Sequence, residues 1–151
     1  MNHRILGPGR HGLARLAVGD RIVSGRRTVT TDLIDTFAEM TGDRFEIHMD
    51  RAAAIRHGFA DRVAHGLLVL SLVDGLKNQA DAQFDAVASL GWDWQFSAPV
   101  LAGDSVGATI TVKDLRLTSN SQRGIATLEF DVTNQNGKTV QRGENRLMIY
   151  V

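Results

Sequence analysis

The stretch from Gly66 to Lys77 constrains this chain more than any other. Leu67, Leu68, Val69, Leu70, Leu72, Val73 and Leu76 leave it almost no polar side, so a helix built from it has to be buried. A buried strand would show the same kind of run, but its length favours the helix. Elsewhere the period is two. Val106, Ala108, Ile110 and Val112 alternate with polar neighbours, as do Ala126, Leu128, Phe130 and Val132, the mark of strands with one buried face. Several antiparallel strands and one apolar helix pack best when the sheet curls and takes the helix on its concave face. The predicted class is therefore α+β, and the open edge of such a sheet invites a second copy to pair with it.

The remaining segments fit around that core. Residues 1–19, with Pro8 and four glycines, read as an N-terminal arm laid over the body of a single domain spanning 1–151. Ile22, Val23, Thr28 and Val29 mark a strand within 20–30. Thr30 or Thr31 can cap a helix that carries Asp32 in its first turn, buries Leu33, Ile34, Phe37, Ala38 and Met40, and ends at Gly42. Residues 43–64 read as a long loop with one short helix, a length often tied to function. A strand over 87–96 sets Trp92 and Trp94 on one face, Asn136-Gly137 is a hairpin turn, and Leu147, Ile149 and Val151 close the chain as a strand.

Composition removes whole classes of function. Seventeen basic residues balance seventeen acidic ones, and no basic stripe offers itself to nucleic acid. Arg26 and Arg27 read as solvated charge at a strand end. With no cysteine there is no disulfide, thiolate nucleophile or cysteine-based zinc site. Residues 1–12 lack the apolar core of a secretory signal, and the most apolar run falls short of a membrane span. The expectation is a soluble cytoplasmic protein.

The densest polar cluster is Thr41-Gly42-Asp43-Arg44-Phe45-Glu46-Ile47-His48. Across a turn that follows a helix-ending glycine, Asp43 and His48 could face one another and hold a water between them, one taking a proton while the other gives one. The same residues also fit a helix cap and an imidazole packed at the surface. His65-Gly66 sits at the start of the apolar helix, where unpaired N–H groups and partial positive charge could hold a developing oxyanion, and where a glycine lets a carbonyl approach. Gly66 could equally just begin a packed helix. A metal set from His48, Asp50, His57 and His65 lacks ligand-pair spacing, so no metal is expected. Ser71 lies inside the helix, with no nucleophile elbow around it, and Gly7-Pro8-Gly9 opens no phosphate loop. Asp74, a carboxylate in an apolar helix, needs a partner and reads as a structural hydrogen-bond acceptor or a pocket residue. Arg56, Arg62 and Arg142 read as exposed arginines, equally suited to contacting a substrate or to ordinary surface charge.

Three stretches carry a resemblance. Phe37 through Asp50, Phe59 through Leu68 with its ending Val63-Ala64-His65-Gly66-Leu67-Leu68, and Phe96-Ser97-Ala98-Pro99-Val100 followed by Gly103-Asp104 resemble the MaoC-like (R)-specific enoyl-CoA hydratases, in order and spacing, from about Gly19 to the C-terminus. The resemblance implies a hot-dog fold, a curved antiparallel sheet wrapped around one helix. It also implies reversible syn hydration of trans-2-enoyl-CoA thioesters to (R)-3-hydroxyacyl-CoA without a cofactor, in a homodimer or larger assembly. It assigns Asp43 and His48 as the catalytic pair and His65-Gly66 as the oxyanion and substrate-binding corner, with the Gly66 N–H on the thioester carbonyl. The family commonly has Asn-Pro between the two catalytic residues; Phe45-Glu46 stands there instead, which leaves the choice of acyl group open. A thioesterase or a non-catalytic acyl-CoA-binding module on the same fold are the competing readings.

Overall fold

The structure, a computed structural model, describes residues 3–151. In chain order it contains β1 (Gly9–His11), a 3-10 turn (Leu13–Arg15), β2 (Arg21–Thr28), α1 (Thr31–Thr41), α2 (Glu46–Met49), α3 (Arg51–Arg56) and α4 (Gly66–Gln79). β3 (Ala82–Phe84), β4 (Ala86–Phe96), β5 (Ser105–Leu117), β6 (Arg123–Thr133) and β7 (Thr139–Tyr150) follow. The main sheet runs β2-β5-β6-β7-β4 and every pair in it is antiparallel.

Period-two patterning becomes the inner face. Val106, Ala108, Ile110 and Val112 on β5 and Ala126, Leu128, Phe130 and Val132 on β6 are buried, as are Leu68, Val69, Val73 and Leu76 on α4. Each of the valine, leucine, isoleucine and phenylalanine side chains among them contributes about 1.5–3 kcal/mol on leaving water. Trp92 and Trp94 close on Phe130, with ring centroids 5.3 and 5.5 Å from it. The result is the hot-dog arrangement, an α+β fold with α4 against the sheet. The β6–β7 hairpin turns at Asn136-Gly137, with Gly137 at φ 75° and the Asn134 side chain accepting from the N–H groups of Asn136 and Lys138.

Three local expectations change. Helix α4 runs two residues beyond Lys77 and is not buried all round: Leu67 is 60% exposed and Ser71 is also on the open side, because the sheet covers only part of the helix circumference. The loop after α1 holds two short helices rather than one. Asp50 ends α2, and its side chain accepts from the Ala52 N–H to start α3. Met40, expected on the buried stripe of α1, is 72% exposed, two positions beyond the last buried residue of that helix, Ala38.

Residues 4–6 lie along the start of β2, with Leu6 N–H donating to Arg21 O and Arg21 N–H to Arg4 O, and β1 pairs in parallel with β3. The first two residues of the expected arm fall outside the described residues. Arg4 closes this contact with bonds to both carboxylate oxygens of the fully buried Asp20. Asp74 finds its partner in Lys77, 2.9 Å away and 6% exposed in its side chain, whose ammonium lies 5.9 Å from the Trp92 ring. No helix among the described residues is long and apolar enough to cross a membrane.

Candidate active site

The end of α1 delivers Asp43. Thr30 caps the helix by accepting from Leu33 N–H, and Gly42 ends it at φ 79°, a left-handed conformation that costs a side-chain-bearing residue about 1 kcal/mol or more. Thr41 then bonds back to Phe37 O and accepts from Asp43 N–H. The Asp43 carboxylate accepts from Phe45 N–H, a turn that leads directly into α2 and His48. Asp43 thus shapes the turn before α2 rather than capping a helix, since Phe45 is the capping residue of α2.

His48 is buried, not packed at the surface. Its Nδ1 lies 2.6 Å from Val63 O. A carbonyl can only accept, so Nδ1 carries the proton and Nε2 of the neutral ring holds the lone pair. Burial pushes the His48 pKa down; the Val63 carbonyl and Asp43 oppose that shift, while His65 and Arg62 add to it. The net effect keeps the ring neutral, and basic at Nε2, near neutral pH.

His65 is 2% exposed. Its Nε2 donates to the backbone carbonyl of Asp43 at 2.8 Å, its ring stacks on His48 with centroids 3.9 Å apart, and Phe37 flanks it at 4.9 Å. Its Nδ1 is buried without a hydrogen-bond partner. One side-chain ligand atom from each of Asp43, His48 and His65 falls within 4.8 Å of the others, whereas Asp50 and His57, weighed with His48 and His65 as ligands and set aside on spacing, serve α3 and the Glu46 carboxylate. Each stacked imidazole already commits one nitrogen to a carbonyl. The two ring planes lie 28° apart, and the second nitrogen of each is left to take or give a proton.

Gly66 opens α4, where first-turn N–H groups have no acceptor within the helix. A methyl group there would come within 2.5 Å of the Phe96 ring, so the absence of a side chain is what lets Phe96 lie against the helix end. The Gly66 carbonyl accepts from Gln141 Nε2 at 3.1 Å, and Gln141 Oε1 accepts from the Trp94 indole at 2.9 Å. Asp43, His48, His65 and Gly66 all line one cavity of about 520 Å³, together with Phe59, Phe96, Val100 and Gln141.

Two residues of this region escape sequence reasoning. Gln141 reads as an ordinary polar residue, although its period-two spacing from the buried Leu147 and Ile149 on β7 could have flagged a buried amide. Arg62, expected among the exposed arginines, has a side chain only 14% exposed, because it spans from α1 to the His48 carbonyl.

The MaoC-like domain model matches residues 16–134. The chain is 34% identical over 124 residues to Protein MaoC of Klebsiella aerogenes, covering 82% of this chain but only 36% of that protein's length. It is 32% identical over 131 residues to the (R)-specific enoyl-CoA hydratase of Aeromonas caviae, covering 85% of this chain and 92% of the relative. Its fold superposes on the crystal structure of a MaoC-like dehydratase from Rhodospirillum rubrum with a TM-score of 0.86 at 27% identity, over 93% of this chain and 97% of that one. On its fold, its motifs and these matches, the chain belongs to the MaoC-like domain family.

Proposed function

We propose that this chain is a hydro-lyase that reversibly adds water across the double bond of a trans-2-enoyl-CoA thioester to give the (R)-3-hydroxyacyl-CoA. One observation carries the reading: Asp43, His48 and Gly66 line a single cavity, with a carboxylate and two imidazoles within 4.8 Å of one another. In this reading the Gly66 N–H, at the positive end of α4, holds the thioester carbonyl and stabilises the enolate-like charge that develops on its oxygen. His48 Nε2 and the Asp43 carboxylate hold the water. As its oxygen bonds to C3, the pair takes one proton from it and returns one to C2 on the same face, so the net change is addition of one water. The relatives with hydratase or dehydratase names support the reaction class. The protein would act as a homodimer joined along the open edge of β4, where Val87, Leu90 and Phe96 are exposed.

The test is the loss of enoyl-thioester absorbance on adding protein to crotonyl-CoA and to a longer trans-2-enoyl-CoA. Asp43→Asn and His48→Ala should each reduce the rate by at least about 100-fold while the circular dichroism spectrum stays unchanged. Near-normal rates in both variants would sink the assignment, and release of free CoA from a saturated acyl-CoA would reassign the site to thioester hydrolysis.

A further inference from the structure

The acid–base pair comes from two separate pieces of chain, and something has to set their spacing. Asp43 leaves the end of α1; His48 sits on the four-residue α2, too short to hold its own position. Residues 62 and 63 grip α2 at three points. Val63 N–H donates to Ile47 O at 2.9 Å, Val63 O accepts from His48 Nδ1, and the Arg62 guanidinium donates through Nε to the His48 carbonyl at 2.6 Å. The same guanidinium reaches back to α1, where Nη2 lies 2.5 Å from the Asp35 carboxylate. Segment 62–63 is itself anchored, since Ala102 N–H donates to Arg62 O and Val63 bridges to Leu101.

We infer that Arg62 is a positioning residue for the reaction: one planar guanidinium ties the helix that ends in Asp43 to the backbone of His48 and so sets the geometry of the pair. The inference rests on the proposed acid–base roles of Asp43 and His48. Arginine suits the task because its fork holds two acceptors at fixed angles while staying charged, which a lysine ammonium cannot reproduce. Two bonds from a guanidinium that is mostly out of water are also stronger than a surface ion pair. The charged and titratable groups around His48 are Asp43 from α1, His65 from the start of α4 and Arg62 itself. Freeing the ring toward solvent and removing the Arg62 charge both act to raise the His48 pKa, while a weakened bond to Val63 O acts to lower it; burial is the largest of these causes, so the net direction is upward.

The experiment follows the ring nitrogens of His48 by ¹⁵N NMR across pH in the full chain, beside steady-state hydration of crotonyl-CoA, for Arg62→Met, Arg62→Lys and Asp35→Asn. Arg62→Met should raise the His48 pKa and weaken its Nδ1–H preference. It should also lower kcat roughly 10- to 100-fold, as a misplaced catalytic group does, with KM within about twofold. Arg62→Lys should recover part of kcat, and Asp35→Asn should shift both readouts the same way by less. An unchanged His48 titration in folded Arg62→Met overturns the inference; if that variant does not fold, unchanged titrations in both Arg62→Lys and Asp35→Asn overturn it. Because the NMR readout needs no turnover, it separates the two claims. His48 responding to Arg62 in a protein that hydrates nothing removes the hydratase reading alone, and hydration with an indifferent His48 removes this inference alone.

Discussion

His48 is the residue on which pH acts. Its burial makes the charged ring costly, so its folded pKa lies below the ordinary imidazole value of about 6.5. The acid limb of kcat/KM for enoyl-thioester hydration should therefore fall below pH 6.5, and a limb at or above that value would contradict the buried, neutral ring. Stability carries the same sign. The unfolded chain takes up the His48 proton at a higher pH than the folded one does, so folding loses free energy as pH drops from about 6.5 toward the folded pKa, and the loss levels off below it. Urea titrations at pH 7.5 and 5.5 should show the native chain losing more stability than His48→Gln does. That Asp43 and His48 come close together was legible because a glycine-ended helix followed by a short polar turn limits where two such groups can point. The engagement of His65 with the Asp43 carbonyl was not, because that contact joins residues 22 positions apart through a backbone oxygen that no side-chain pattern reveals.

At the scale of elements, the beginning of α4 depends on β7. Gln141 is 2% exposed and spends one end of its amide on Gly66 O and the other on the Trp94 indole. Gln141→Leu keeps the volume but strands the indole N–H and removes a partner from the Gly66 carbonyl, which should cost about 1–3 kcal/mol in urea unfolding. Gly42→Ala should cost about 1 kcal/mol through the strained φ alone, with no loss of the α1 N-terminal cap. The strands of the main sheet and the two long helices could be read from the sequence, since Val106 to Val112 and Leu68 to Leu76 show their buried faces directly, whereas β1 and β3, three residues each, are too short to carry a pattern and were missed. The split of the loop into α2 and α3 could not. It turns on Asp50 serving one helix end and the next helix start, a local choice that competes evenly with an extended loop until Val63 pins Ile47 and His48 in place.

For the molecule as a whole, the aromatic cluster under α4 links the sheet to the helix. Phe130→Ala would leave Trp92 and Trp94 without the ring both pack on. It should cost about 3–5 kcal/mol, with the tryptophan emission moving to longer wavelength. Leu90→Lys on the exposed side of β4 should leave the fold intact and shift the protein to a smaller species in analytical ultracentrifugation, whereas an unchanged sedimentation coefficient would place the proposed dimer contact elsewhere. The two ends of the sheet are unlike. At β2, residues 4–6 bond to Arg21, a bulge interrupts the pairing between Val23 and Arg26, and Arg26 and Arg27 are exposed, all features that discourage strand addition. At β4 the apolar edge is open. A sheet with one receptive end has a valence of one: a second copy that docks there uses up the same end of its own sheet, so assembly by this route terminates at a pair and has no means of growing into a fibre.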